Sequence, residues 1–244
     1  MDYNRQRHIR ELNRKFHKKE CNAPSEYLET AKKAVGIFDR YAYERPEGIY
    51  WEATIKDEAF PHFFPKVTLY PKGKKPDDEL DFSLYSGQTG ICFALLQLYL
   101  ATQDEVYLKK AEAGLQLFRS KWKSLETFHS VTIRTAKYGY FYGIAGAASV
   151  LLAFYKVTKK PEDKELLIEI IDYLDSIRQE SGEGIYWIDG TGLSVDGGTA
   201  LFLLEAGKEL GYQKATEDAV KAGKHLLTHR IETKDGITYD NKPM

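Results

Sequence analysis

The stretch that decides the fold is Ser86-Gly87-Gln88-Thr89-Gly90-Ile91-Cys92-Phe93-Ala94-Leu95-Leu96, a Gly-x-x-Gly step that opens an apolar run. A second copy starts with Tyr142-Gly143-Ile144-Ala145-Gly146, and a degraded third copy with Asp196-Gly197-Gly198-Thr199-Ala200. The copies follow one another at about 55 residues, and a fixed period marks an array of one supersecondary unit. Because the three runs are apolar nearly all round, they predict buried inner helices near residues 87–100, 143–154 and 197–210.

Amphipathic segments alternate with these apolar runs at residues 106–118, 166–177 and 215–229, and an earlier one covers residues 27–41. Each has an apolar stripe at helical spacing opposite charged residues, which predicts an outer helix with one solvated face. In the last segment the predicted stripe holds Ala219, Ala222, Leu226 and Leu227. Alternating inner and outer helices predict an all-α fold, an α/α toroid or partial barrel of two layers.

Short β-prone pieces also repeat after the outer helices, as Gly48-Ile49-Tyr50-Trp51, Gly184-Ile185-Tyr186-Trp187 and Gly236-Ile237-Thr238-Tyr239. Glycine and acidic residues bound each piece, so we expect short extended linkers between helices.

Two stretches fall outside the repeat. Residues 1–26 form a basic N-terminal arm, expected either to dock on the outer layer as a helix or to bind a partner. Residues 27–244 form the half-barrel, interrupted by a proline-rich insertion at residues 58–80 that is either an ordered surface connection or a lid.

Composition excludes several classes of protein. A net charge of −1 argues against a dedicated nucleic-acid binder. No apolar run approaches the length of a membrane span, and no secretion signal opens the chain. The two cysteines, Cys21 and Cys92, lie far apart in the sequence, which favours free thiols in the cytoplasm over a disulfide.

The repeat carries a resemblance to the lanthionine synthetase C-like (LanC-like) family over about residues 27 to 244. The resembling residues are Ser83 to Gly90, Ala101 to Glu105, Tyr107 to Ala111, Gly143 to Gly146 and the Gly-Ile-x-Trp pieces. The resemblance implies an α/α barrel with a central zinc that forms thioether rings in peptides. In that chemistry a cysteine thiol adds to a dehydroalanine or dehydrobutyrine, and zinc lowers the pKa of the thiol. It also implies a peptide substrate.

The chain departs from the family at the positions that carry this chemistry. The family's zinc ligands come from a Trp-Cys and a Cys-His-Gly, and this sequence has neither, so no cofactor and no metal ligands are predicted here. Cys92 is expected to fill the core. The family's third-repeat His-Gly step corresponds to Asp196-Gly197, and its acidic position before the second Gly-x-x-Gly corresponds to Gly139.

These departures leave enzymatic activity open. With three inner and four outer helices, the chain is expected to be a truncated or divergent relative of the cyclases that acts in peptide modification. A homodimer or a missing C-terminal half would close the barrel. The alternatives are a non-catalytic half-barrel that binds a peptide or a partner protein, and a carbohydrate-active α/α-barrel enzyme.

Few residues stand out as candidate site residues. Asp189 and Asp196 flank a glycine-rich loop and could act as acid and base for glycoside cleavage, or serve only as a turn and a helix cap. Glu52 and Asp57 offer a similar pair. Gly87, Gly90, Gly143 and Gly146 are candidate substrate-binding positions, or simply packing positions at the helix starts. His225 and His229 have a metal-binding spacing, but no acidic ligand lies on the same helix face.

Overall fold

Seven helices and three short hairpins account for the regular structure of the residues that the computed structural model describes, which are 24–40, 42–51, 80–85, 87–123, 137–182 and 184–239. The chain divides into two compact units, Met1–Arg40 and Tyr41–Met244. The first unit contributes helix α1 (Pro24–Arg40) to the described residues. Most of the predicted basic arm and of the proline-rich insertion, with Cys21, Glu52 and Asp57, lies outside them. The domain boundary at residues 26 and 27 stays a prediction.

The second unit alternates two kinds of helix, as the repeat predicts. Its helices are α2 (Gln88–Thr102), α3 (Glu105–Lys121), α4 (Ile144–Thr158), α5 (Pro161–Ile177), α6 (Asp196–Leu210) and α7 (Gln213–Thr228). Inner helices α2, α4 and α6 contact one another in chain order, and each outer helix packs on the inner helix before it. The predicted all-α fold with alternating inner and outer helices is therefore confirmed.

Each inner helix ends in the same way. Gln103, Lys159 and Gly211 adopt left-handed backbone conformations directly after α2, α4 and α6. A left-handed residue at this position stops a helix and turns the chain. The next outer helix then starts only two residues later, antiparallel to its partner, which brings the end of each outer helix back to the start of its inner helix.

Burial separates the layers in the second repeat, whereas the first inner helix, α2, is buried on one side only and exposes Phe93 and Leu100. In α4 the residues from Ile144 to Ala148 are all buried, whereas α5 buries the predicted stripe Leu167, Ile170, Ile171 and Leu174. None of the described helices combines the length and apolarity needed to cross a membrane.

The stripe of α7 departs from the prediction. Ala219 and Ala222 are buried as predicted, but Leu227 is exposed and His225 is buried in the row that the stripe follows. Positions 218, 222, 225 and 229 recur at helical spacing, whereas residue 227 lies on the opposite side of the helix, roughly 170° away from that row. This row therefore ends in two histidines, buried His225 and half-buried His229 directly after α7.

Each predicted extended piece is the second strand of an antiparallel hairpin. Strands β1 (Ala42–Arg45), β3 (Gln179–Ser181) and β5 (Arg230–Thr233) pair with β2 (Gly48–Trp51), β4 (Gly184–Tyr186) and β6 (Gly236–Tyr239). The first strands are mostly charged and polar, so they give no apolar alternation from which a strand can be predicted.

Candidate functional site at the start of the third inner helix

The candidate site forms where hairpin β3–β4, the loop after it and the last turn of α7 meet the start of α6. Strand β4 contacts α7, and residues 187–195 lead from the hairpin into α6. A continuous stretch from residue 179 to residue 196 thus meets the end of α7, which is distant from it in the sequence.

Asp196, the first residue of α6, anchors this loop. Its carboxylate accepts the backbone N–H groups of Trp187 (3.2 Å), Ile188 (3.0 Å), Asp189 (2.8 Å) and Gly190 (3.2 Å). Burial raises the pKa of the Asp196 carboxyl above its ordinary value, and the loop N–H groups oppose that rise. Side-chain acceptors at a helix start usually bind N–H groups of their own helix, whereas Asp196 binds the loop before it.

The first inner helix uses its first residue in the same way. The side-chain oxygen of Gln88 accepts the backbone N–H of Trp51 at 3.0 Å. Its side-chain nitrogen donates to the carbonyl oxygens of Ile49 (2.6 Å) and Gly114 (3.1 Å). Gln88 and Asp196 thus each fix a Gly-Ile-Tyr-Trp piece to an inner helix, so the anchoring is a property of the repeat.

Asp189 is the residue that this anchored loop presents. Its backbone is left-handed, with φ of 67°, a conformation that is uncommon for residues other than glycine and recurs at functional sites. Its Oδ1 lies 2.9 Å from Nε2 of His225 and 3.0 Å from Nε2 of His229. The two Nε2 atoms are 3.3 Å apart. Three ligand-type atoms therefore converge on one point.

The surroundings of His225 fix its ring. Tyr186 stacks on the imidazole with ring centroids 4.7 Å apart, and its hydroxyl donates to Gln179 at 3.0 Å. Gly184 lies so close to α7 that an added Cβ would be 2.7 Å from Cβ of His225. Nδ1 of His225 is buried with no hydrogen-bond partner among the described residues. His225 therefore makes its polar contacts through Nε2.

The structure gives the carboxylates of the two aspartates predicted as an acid–base pair different partners. Asp196 is buried beneath four N–H donors, whereas Asp189 joins His225 and His229. A catalytic role for either stays a prediction. The acidic ligand missing from the helix face of the histidine pair comes instead from a loop 36 residues earlier in the chain. The sequence gives no signal for this approach, because it depends on how hairpin β3–β4 packs on α7.

The glycines of the Gly-x-x-Gly steps lie against backbone. A Cβ added at Gly90 would collide with the carbonyl of Leu84, and one at Gly146 with the carbonyl of Tyr140. A Cβ at Gly87 would likewise meet the backbone of the preceding loop. These positions need glycine because the loop before each inner helix crosses the first turn of that helix.

The N–H groups at the start of α4 are already engaged. Gly143 and Gly146 both donate to the carbonyl of Gly139, at 3.1 and 3.3 Å, and Ile144 donates to that of Lys137 at 2.9 Å. Donors that bind the protein are not available to an anion, so the contacts favour the packing role. Substrate binding by the glycines stays a prediction.

Backbone hydrogen bonds join the loops of successive repeats at this end of the second unit. The N–H of Tyr85 donates to the carbonyl of Phe141 at 2.9 Å, and that of Tyr140 to the carbonyl of Leu193 at 3.0 Å. Tyr85 is 70% exposed, and its ring lies edge-on to those of Phe141 and Tyr142, with centroids 6.1 and 5.3 Å away. An aromatic cluster of exposed Tyr85 and half-buried Tyr140, Phe141 and Tyr142 thus lies beside the loop that carries Asp189.

The zinc ligands that the resemblance implies do not fit the described residues, which contain a single cysteine. Cys92 is buried in α2, and an added Cβ at Gly114 would meet its sulfur and the ring of Trp51. Burial raises the pKa of the Cys92 thiol far above its ordinary value, so it stays protonated and is a poor zinc ligand. The family's acidic position is also closed, because a Cβ at Gly139 would collide with the backbone of Ser194.

No curated protein matches the chain. A family model described as "Lanthionine synthetase C-like protein" matches residues 116–238, half of the chain, and this segment holds helices α4 to α7 and the whole candidate site. The predicted family is thereby confirmed, and the match covers the second and third of the three Gly-x-x-Gly repeats. The chain belongs to the lanthionine synthetase C-like family.

Proposed function

We propose that this protein acts in peptide modification, as a divergent relative of the cyclases that form thioether rings. The substrate is a peptide that carries a cysteine and a dehydroalanine or dehydrobutyrine. The cysteine sulfur bonds to the β-carbon of the dehydrated residue, and the thiol proton ends on its α-carbon, so the product is an isomer of the substrate.

The observation that carries this proposal is the aromatic cluster at the helix starts, with exposed Tyr85 at its surface. Tyr85 exposes most of its ring, and peptide-binding surfaces are enriched in tyrosine because its flat ring contributes contact area at little cost in entropy. The cluster lies at the same end as Asp189, because the hydrogen bond from Tyr140 to Leu193 joins the two loops. A peptide bound on the rings would pass the histidines of the candidate site.

Thiol consumption tests the proposal, because ring formation leaves the mass of the peptide unchanged. A peptide with one cysteine and one dehydroalanine is incubated with the full chain, treated with N-ethylmaleimide and weighed by mass spectrometry. We expect the alkylated fraction to fall faster with the protein than without it. A peptide with alanine in place of dehydroalanine should keep its thiol.

The same peptide, carrying a fluorophore, reports binding by anisotropy. Tyr85→Ala should weaken binding by roughly tenfold, since aromatic anchors dominate interface energies. Tyr239→Ala, which removes an exposed tyrosine from strand β6, is the matched control and should bind as the parent does.

A non-catalytic binding half-barrel is the second candidate. It is favoured by the poor fit of the described residues to the family's zinc ligands. Peptide that binds but keeps its thiol would replace the first proposal by this one, and peptide that does not bind would contradict both. The carbohydrate-active alternative has less support, because Asp196 is buried and its carboxylate already binds backbone N–H groups of the loop.

A further inference from the structure

We propose that Asp189, His225 and His229 form a binding site for a divalent transition metal of the zinc class. The inference goes beyond the proposed function, since these ligands are not the Trp-Cys and Cys-His-Gly residues that the family uses, which this sequence lacks. Two imidazole nitrogens and one carboxylate oxygen are a ligand set that zinc enzymes use, with the fourth position left to water or substrate.

The spacing of the three atoms matches tetrahedral zinc. Bonds of about 2.0–2.1 Å at tetrahedral angles place neighbouring ligand atoms about 3.3 Å apart. In this protein the three separations are 2.9, 3.0 and 3.3 Å. A zinc ion would take the place of the hydrogen atoms between the three ligand atoms. The ligand atoms would move by only a few tenths of an ångström.

The ligands come from rigid elements, which favours a built site over a chance surface cluster. His225 and His229 are one turn apart at the end of α7. Asp189 is held by the loop that Asp196 anchors, and Tyr186 stacks on His225. Such surrounding contacts orient metal ligands before the ion arrives.

Exposure is graded across the three ligands. The side chain of His225 is 7% exposed, that of His229 12% and that of Asp189 35%. The histidines thus form the floor of the site, and the ion enters from the side of Asp189. The partial exposure leaves room for the fourth ligand that distinguishes a reactive zinc site from a closed structural one.

Isothermal titration tests the site directly, without peptide. The full chain is treated with a chelator, dialysed and titrated with zinc chloride. We expect one equivalent of zinc to bind, and His229→Gln and Asp189→Asn each to weaken binding by roughly 100-fold or more, since loss of even an outer partner costs about 10- to 100-fold. Asp235→Asn, in the exposed turn between β5 and β6, is the matched control. Circular dichroism confirms that each variant folds.

Cobalt substitution identifies the ligands. Cobalt bound by histidine and carboxylate gives visible d–d bands without the near-ultraviolet charge-transfer bands of thiolate ligation. No binding, binding that His229→Gln leaves unchanged, or thiolate bands would overturn the proposal. Since the titration uses no peptide, its outcome is separate from that of the thiol assay: zinc binding without thiol loss supports the site and contradicts only ring formation.

Discussion

The carboxylate of Asp196 accepts the backbone N–H of Trp187 across the loop that leads into α6. Gln88 binds Trp51 in the same way, although 37 residues separate that pair and only nine separate Asp196 from Trp187. A side-chain acceptor at the first residue of an inner helix therefore fixes the preceding strand, whatever the length of the loop between them. In the third repeat this contact also sets the position of Asp189.

Replacing Asp196 by asparagine should lower the free energy of unfolding by about 1–3 kcal/mol. The amide offers one acceptor in place of two and turns a donor toward buried N–H groups. Urea denaturation gives the change, with Glu205→Gln on the exposed side of α6 as control. If both variants unfold at the same urea concentration, Asp196 does not anchor the loop.

Gly146→Ala should destabilise the protein by about 2–4 kcal/mol, because the new methyl group would press on the backbone carbonyl of Tyr140, which cannot rotate away. Gly223→Ala is the control, since nothing lies near a Cβ there. Alanine is the better residue in a helix, so this variant should gain about 0.5–1 kcal/mol. Thermal melts of the two variants should therefore shift in opposite directions, and equal shifts would contradict the crossing of the loop over α4.

The helices could be predicted from the sequence because both layers are built from local periodicity. Residues 144–154 are apolar nearly all round and are buried apart from half-buried Ser149 and Ala153, and the stripe of α5 is visible at helical spacing. The local pattern gives the wrong prediction at the end of α7, because it places Leu227 on the buried face. In the structure Leu227 is exposed and His225 is the buried residue. A histidine takes the inner position there because Gly184 and Tyr186 of a distant hairpin pack on it.

The sequence predicts the histidine pair of the candidate site but not its third member, Asp189. The spacing of His225 and His229 predicts that the two rings share a helix face, since four residues make about one turn. The approach of Asp189 depends on the hairpin pairing, the left-handed backbone at Asp189 and the anchor at Asp196. None of these leaves a periodic signal, so the third member of the cluster could be found only in the fold.

Cys92 should resist alkylation in the native protein. In a Cys21→Ser background it is the single remaining cysteine. Burial both blocks access and raises the pKa of its thiol, so N-ethylmaleimide should react roughly 100-fold more slowly than with the unfolded chain at the same pH. Mass spectrometry of timed samples measures both rates. Rapid native labelling would mean that α2 is not an inner helix.

The third hairpin should make the protein associate with itself. The hairpins β1–β2 and β3–β4 each pack on an outer helix, α3 and α7, whereas every residue of β5 and β6 is exposed. The corresponding isoleucines differ accordingly: Ile185 is 2% exposed and Ile237 is 63% exposed. A second copy of the chain can cover this apolar strand pair, because exposed hydrophobic surface favours association. Sedimentation should therefore show a dimer whose fraction rises with concentration, and Ile231→Lys with Ile237→Lys should shift it to monomer while leaving the circular dichroism spectrum unchanged. Val220→Lys, on the exposed side of α7, is the control for an added charge and should leave the dimer intact. A parent protein that stays monomeric at high concentration, or a double lysine variant that still dimerises, would show that hairpin β5–β6 is not the contact surface.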